Sequence, residues 1–279
     1  MNSINGKSFL KGEKIMKKFL TVALAGVLAA SMLFTGCSKK AESKVPDKLI
    51  VGTNAEFPPF EYMNDKKQPE GFDIAMIKEI GKRMGKKVEI KNMEFKSLIG
   101  AMESDSINAI IAGMTKTEKR EKAVDFSDSY YTTNQAIILK KDSKITKLAQ
   151  LDGQKIGVQE GTTGDLISSG DKFGDGKKAK VLVKGAKVKR FKKGVDAVMD
   201  LKNGSVDAVV IDELTANEFV KKNAKKLKIV IDSAGSEYYC IALTKGNTAY
   251  KEEVNKQIKA IKEDGTYDKL KAKYIDSKN

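Results

Sequence analysis

The chain has 279 residues with 52 Lys and Arg against 37 Asp and Glu, a formal net charge of +15, no histidine, no tryptophan and two cysteines. Without an imidazole there is no Ser-His-Asp triad, Cys-His dyad, HExxH zinc site or histidine-based pH switch, so hydrolase and metalloenzyme chemistry is disfavoured and no metal or cofactor is expected. Cys37 and Cys240 are too far apart in sequence for a CxxC motif or a small disulfide framework, and the length suits one large or two modest domains held by a packed core.

In chain order, Met16-Lys17-Lys18 precedes an uncharged run from Phe19 to Ser38, followed by Lys39-Lys40. A basic start, an apolar stretch and small residues before a cut site define a secretory signal peptide, expected over 1–36 with Met16 as the better start. Leu33-Phe34-Thr35-Gly36-Cys37 resembles the bacterial lipobox, in which the chain is cut before a lipidated cysteine, although Phe34 stands where Leu is usual. Cys37 is therefore the expected lipidation site, and 37–46 a polar tether. Removal of 1–36 takes away five Lys and one Glu and leaves +11.

Beyond Pro46, short apolar runs alternate with amphipathic stretches, the pattern of an α/β sheet protein. Strands are predicted at Lys48–Thr53, Val88–Met93 and Ile107–Ala112, with helices at Gly71–Met84 and Leu98–Glu103. The first helix carries Ile74, Ile77, Ile80 and Met84 at spacings of three and four. From Gln135 the plan resumes: strands at Ala136–Leu139, Lys155–Gln159, Val181–Val183 and Val206–Ile211, and helices near Thr163–Ser169, Val195–Asn203 and Glu213–Lys222. Helices at Asn247–Glu263 and Asp268–Tyr274 close the chain, and Cys240, within the apolar run Tyr238–Leu243, reads as a buried small hydrophobe.

The densest basic run, Lys187 to Lys193, remains open as a docking patch, but the lysines at 116–122 and 251–256 alternate with acids and read as solvated surface. Only Arg83, Arg120 and Arg190 supply the planar, bidentate group favoured in nucleic-acid recognition, against 49 lysines, so nucleic acid is not an expected partner.

Two stretches repeat. Ser106-Ile107-Asn108-Ala109-Ile110-Ile111-Ala112-Gly113 matches Ser205-Val206-Asp207-Ala208-Val209-Val210-Ile211-Asp212 in residue type, and Ile50–Asn54 echoes Lys155–Gln159 at a nearly equal offset. Two similar α/β lobes follow. Ligands of open α/β sheets sit beyond the carboxyl ends of the strands, which in a two-lobed molecule face each other across a cleft. The residues just past the strands are then Asn54, Gly113 and Thr115 in one lobe and Gln159, Thr162, Thr163 and Asp212 in the other. Amides, hydroxyls, a free carboxylate and helix-start amides suit a small zwitterion.

The motifs Asn54–Tyr62, Gly71-Phe72-Asp73-Ile74, Gly113-Met114-Thr115, Glu118-Lys119-Arg120, Val124–Tyr131, Gly157–Thr163 and Asp264–Lys269 together resemble the polar amino-acid family of bacterial solute-binding proteins, which feed ABC importers. Ala75 departs from the acid that usually follows Gly-Phe-Asp-Ile. The resemblance implies a periplasmic-binding-protein type II (Venus flytrap) fold, two α/β lobes joined by a two-stranded hinge, with 47–134 plus 236–279 as the first lobe and 135–235 as the second. It implies that Arg120 grips the ligand α-carboxylate, a task suited to guanidinium, helped by Thr115 and by amides at Thr163. Asp212 and the Gly113 carbonyl receive the α-ammonium, Phe57 and Phe95 sandwich the side chain, and Asn54, Met114, Gln159 and Thr162 complete the contacts. Glu56 or Glu61 is the candidate negative charge for a cationic ligand. The expected partners are a free L-amino acid (the arginine, lysine, histidine, glutamine or cystine class), the ABC permease, and the membrane through the lipid anchor, with the protein a monomer on the extracellular face of a Gram-positive cytoplasmic membrane. The alternative is a cyclohexadienyl-dehydratase-like enzyme on the same scaffold, with Glu56, Glu61 or Glu160 as the acid.

Overall fold

The computed structural model describes residues 44–170, 183–231 and 236–276; the expected signal peptide, Cys37 and the first two residues of the expected Val181–Val183 strand lie outside them. The chain opens with β1 (Lys48–Thr53), then β2 (Glu56–Phe57), β3 (Glu61–Met63), β4 (Pro69–Glu70) and helix α1 (Phe72–Arg83). Next come β5 (Lys87–Asn92), α2 (Leu98–Glu103), β6 (Ala109–Ile110), α3 (Glu118–Glu121) and β7 (Val124–Thr133). The middle of the chain gives β8 (Gln135–Lys140), β9 (Lys155–Gln159), α4 (Thr163–Ser169), β10 (Lys187–Phe191) and α5 (Gly194–Asn203). It continues with β11 (Ala208–Asp212), α6 (Glu213–Lys221) and β12 (Leu227–Ile231), and ends with β13 (Glu237–Thr244), α7 (Thr248–Glu263) and α8 (Thr266–Tyr274).

Two five-stranded sheets result, in the orders β5-β1-β6-β13-β7 and β10-β9-β11-β8-β12. In each, three strands run parallel, the fourth is antiparallel to the third and the fifth antiparallel to the fourth. The repeat seen in the sequence is this shared frame. Val51 and Gly52 pair with Ala109 and Ile110 in the first sheet, as Ile156 and Gly157 pair with Ala208 and Val209 in the second. Even the strand starts correspond: the Asn108 side-chain oxygen Oδ1 accepts from the Ile50 amide, and the Asp207 carboxylate from the Lys155 amide, each at 2.9 Å. The chain passes between the sheets at Asn134, where β7 leads into β8, and again between Ile231 and Glu237.

Helix α1 buries Phe72, Ile74, Met76, Ile77 and Ile80, the apolar stripe that its spacing predicts. Gly71 precedes it at φ 131°, and a Cβ there would lie 2.2 Å from the Phe60 carbonyl oxygen, so only glycine fits. Arg83, in its last turn, bonds Glu79 at 2.8 Å and Asp264 at 2.7 Å, tying α1 to the loop before α8.

Three expectations need correction. The strand expected over Ile107–Ala112 shrinks to Ala109–Ile110, because Asn108 satisfies β1 through its side chain and the chain bends at Gly113, φ 51°. Val183 lies in a bend, and the strand that completes the second sheet is β10 instead. The lysine run is therefore sheet edge: Val188 and Phe191 turn toward the core, while Lys189 pairs with Asp200, Lys192 with Glu94 and Lys193 with Glu56. Charged side chains on an edge strand also discourage pairing with another chain.

Candidate functional site

The carboxyl ends of β1, β6, β9 and β11 converge on a closed cavity lined by Asn54, Phe57, Glu61, Phe95, Ala112, Gly113, Thr115, Arg120, Gln159, Thr162, Thr163, Ile211 and Asp212. The cavity volume is about 10 Å³, room for about one water. The lobes are drawn together around their own side chains. The Gln159 side-chain amide donates to the Asn54 side-chain oxygen Oδ1 at 2.8 Å, joining equivalent positions of the repeat across the cleft.

Arg120 sits on the four-residue helix α3, whose start is capped by Thr117: its hydroxyl oxygen accepts from the Arg120 amide at 3.2 Å. Arg120 is 6% exposed. Its guanidinium donates to the Thr115 carbonyl on its own lobe and, at 3.0 Å, to the Gly161 carbonyl on the other, and the guanidinium carbon lies 5.3 Å from the Phe95 ring centroid. Burial pulls its pKa down to about 10, against the attraction of Glu237 and Asp212, so it remains a cation at neutral pH.

Asp212 ends β11 and is buried, accepting hydrogen bonds from the Gln135 amide and the Tyr239 hydroxyl. Burial, reinforced by Glu237, raises its pKa to about 8. Between the fixed cation and this acid stands Glu237, whose carboxylate accepts from the Thr115 and Thr163 hydroxyls, each at 2.7 Å, and so bridges the lobes. Thr162 caps α4, accepting from the Asp165 amide and donating to the Gln159 carbonyl. Asp165 is in turn clamped by Arg190, which gives the second lobe's arginine a structural task.

On the first lobe, the Gly113 amide donates to Asp73 at 2.8 Å and the Tyr130 hydroxyl to the same carboxylate oxygen at 2.7 Å. Asp73 is fully buried with its pKa raised to about 6, chiefly by burial. Glu61 lies beside it, also fully buried, with its pKa held well above the ordinary range by burial and then by Asp73.

A two-lobed α/β frame crossed twice by the chain, with a buried guanidinium and carboxyl in the cleft, agrees with sequence comparison: the family model for bacterial extracellular solute-binding proteins, family 3, matches residues 49–277. The chain belongs to that family. Its fold is the type II periplasmic-binding fold, two lobes joined by two crossing strands. As a family 3 protein it is 33% identical to the arginine-binding extracellular protein ArtP of Bacillus subtilis, over 93% of this chain and 98% of the relative. It is 31% identical to the glutamine-binding protein GlnH of the same organism, over 93% and 98%. A solved ancestral arginine-binding protein bound to arginine superposes with a TM-score of 0.74 at 41% identity, over 83% of this chain and all of the other. These relatives are named as binding proteins and not as enzymes.

Of the residues singled out in the sequence, Asn54, Phe57, Phe95, Gly113, Thr115, Arg120, Gln159, Thr162, Thr163 and Asp212 line the cavity. Met114 does not. Its neighbours Gly113 and Thr115 line the cavity, but the chain bends at Gly113 and Met114 is buried instead with Leu98, Met102 and Ile110. Glu56 stands at the cleft edge, paired with Lys193, and Glu160 pairs with Lys96. Residues that the sequence reading did not assign are Asp73, Gln135, Glu237 and Tyr239. Asp73 was visible only inside the Gly71–Ile74 motif, and nothing local marks the other three.

Proposed function

We propose that this family 3 protein captures a free polar L-amino acid between its lobes and presents it to the permease of an ABC importer, held at the extracellular membrane face by a lipid on Cys37. The observation that carries the reading is the pairing of a buried, fixed cation from one lobe, Arg120, with a buried acid from the other, Asp212, in one cavity. Arg120 takes the α-carboxylate, aided by Thr115 and the start of α4, while Asp212 and the Gly113 carbonyl take the α-ammonium. Phe57 and Phe95 flank the side chain, and Asn54, Gln159 and Thr162 complete the lining.

The carboxylate and ammonium contacts each draw on both lobes, so ligand binding stabilises the closed arrangement, and a hinge at the two crossings opens it. A cavity with room for about one water admits an amino acid only after the lobes part. The Arg120 guanidinium, now on the Thr115 and Gly161 carbonyls, and the two threonine hydroxyls, now on Glu237, are the groups that re-pair when the ligand carboxylate arrives.

Calorimetry with the twenty amino acids plus ornithine and cystine tests the reading. At least one is expected to bind, and Arg120→Ala is expected to abolish binding with the fold intact by circular dichroism. No heat from any of them overturns it. Mass spectrometry of the protein from its native host tests the anchor, with a lipidated Cys37 at the N-terminus as the expected result.

A further inference from the structure

In the basic run that the sequence leaves open as a docking patch, Lys189, Lys192 and Lys193 each pair with an acid. Unanswered positive charge lies elsewhere, at the end of the second lobe remote from the cleft. The segments 140–147 and 221–228 together hold nine lysines and one acid, Asp142. Far apart in sequence, they are adjacent in the fold. Lys140, the last residue of β8, is in register with Leu227, the first of β12, and the Lys141 amide donates to the Lys226 carbonyl at 2.8 Å. Since Gln135 at the start of β8 meets Asp212 at the cleft, Lys140 stands at the opposite end of the sheet.

Lys140, Lys141, Lys202, Lys225 and Lys226 surround a surface concavity of about 410 Å³, with Asp142 the one acid in its lining. All five are exposed, and among the described residues none forms an ion pair, whereas Lys48, Lys116, Lys189 and Lys245 each meet an acid. Lys202 belongs to the last turn of α5, which ends at Gly204 with φ 80°. A Cβ on Gly204 would lie 3.2 Å from the Lys140 ammonium nitrogen, so the glycine lets that lysine lie over the helix end. Ammonium groups gathered around one hollow repel one another, and an anion seated among them offsets that repulsion.

We propose that this concavity docks a linear extracellular polymer that carries phosphate in its repeat. Lysine is a compact point charge without the planar fork of arginine, so these side chains hold phosphate firmly only through many contacts at once. A chain of phosphates supplies those contacts and a single phosphate does not. No aromatic residue lines the concavity, so it offers nothing for a base to stack on and responds to charge alone. The choice of a polymer over a lipid surface rests on the lipid anchor proposed above. The Asn247 side chain donates to the Lys44 carbonyl at 2.9 Å, which holds the start of the described chain at the outer end of the first lobe, just before β1. A lipid on Cys37 therefore tethers that end, and the lysines stand at the other.

Calorimetric titration of the purified protein with long-chain inorganic polyphosphate tests this. Binding is expected, with affinity falling at least about tenfold between roughly 50 and 200 mM salt as counterions are released from the polymer. Inorganic monophosphate should bind at least about a hundredfold more weakly. The combined variant Lys140→Gln, Lys141→Gln, Lys202→Gln, Lys225→Gln and Lys226→Gln should lose at least about tenfold in affinity and most of the salt dependence. A control of equal charge, Lys48→Gln, Lys116→Gln, Lys189→Gln, Lys245→Gln and Lys256→Gln, removes lysines that already meet acids and should change affinity by less than about threefold. Equal losses in the two variants overturn the inference, since net charge and not the concavity would then hold the polymer. Failure of the unaltered protein to bind polyphosphate also overturns it, as does tighter binding to phosphatidylglycerol vesicles through the same lysines. These titrations need neither the anchor nor an amino acid, so their failure leaves the function proposed above standing.

Discussion

The two lobes are built on one plan and part company at the last residue of the repeated stretch. In the first, the repeat ends in Gly113, and the acid at that point, Asp73, arrives from helix α1 to accept the glycine amide. In the second, the repeat ends in Asp212, whose own carboxyl enters the cleft. One backbone frame thus hides its acid behind a glycine on one side and exposes an acid on the other. The cation, Arg120, stands outside the repeated stretches, on the four-residue helix α3, where the second lobe has the nine-residue α6. Duplicated strands supply a symmetric cradle, and residues outside the duplicated strands give the cradle its polarity.

The largest effect that probes this asymmetry is removal of the second lobe's acid. Asp212→Asn keeps groups for Tyr239 and Gln135 to meet but loses the charge, and amino-acid affinity should fall by about ten- to a hundredfold, the worth of a charged hydrogen bond. The same acid sets a pH dependence. Its folded pKa, about 8, lies above its ordinary value near 3.8, so its contribution to the stability of the free protein is complete below about 3.8 and disappears as pH rises through 8. An ammonium needs the ionised form, so affinity should rise between pH 6 and pH 8 while this contribution to free-protein stability declines. Titrations of the protein and of Asp212→Asn at both pH values check this, and an equal pH slope in the variant would exclude Asp212 as its source.

A smaller effect compares the equivalent glycines of the paired strands. A Cβ on Gly52 would sit 2.5 Å from the Ile107 side chain and 2.9 Å from that of Leu98, whereas on Gly157 it would meet nothing nearer than Ala197 at 3.2 Å. Gly52→Ala is expected to cost about 1–3 kcal/mol through overpacking, and Gly157→Ala distinctly less. Denaturant unfolding of the two variants measures the difference, and the reverse order would show that the first lobe's core yields more readily than its contacts imply.

The smallest effect concerns the cleft margin, where Lys96–Glu160, Glu94–Lys192 and Glu56–Lys193 join the lobes at 2.5 to 2.7 Å. Exposed pairs of this kind contribute about 0–1 kcal/mol each and weaken with salt. Lys192→Ala combined with Lys193→Ala should shift affinity by no more than a few-fold and flatten its salt dependence, read by titration at low and high ionic strength.

Much of this was legible along the chain. Lys48–Thr53, Lys155–Gln159, Leu98–Glu103 and Thr163–Ser169 have the same limits in the sequence reading and in the structure, because each is a short apolar run bounded by residues that stop it. The cavity residues that follow those runs were legible for the same reason: strand ends in an open sheet are where ligands can be reached. The strands β7, β12 and β13 were not seen as strands. In β7 serines and aspartates interrupt the apolar alternation, and β13 is identified as a central strand only by its neighbours β6 and β7. Met114, named by the same motif as Gly113 and Thr115, lies outside the cavity lining because the bend at Gly113 leaves it buried with Leu98, Met102 and Ile110.

By itself the sequence determined the α/β plan, the internal repeat and the absence of imidazole chemistry, because these depend on local pattern and on residue type. Only the tertiary structure decided which acids share the cleft. Glu61, Asp73, Asp212 and Glu237 come from β3, α1, β11 and β13, separated by up to 176 positions, and their approach to one another, three of them buried and Glu237 half-buried, follows from the two chain crossings that bring both sheets together. Charge in water is a property of each residue. Charge removed from water is a property of the fold, since it depends on which other charges are buried beside it.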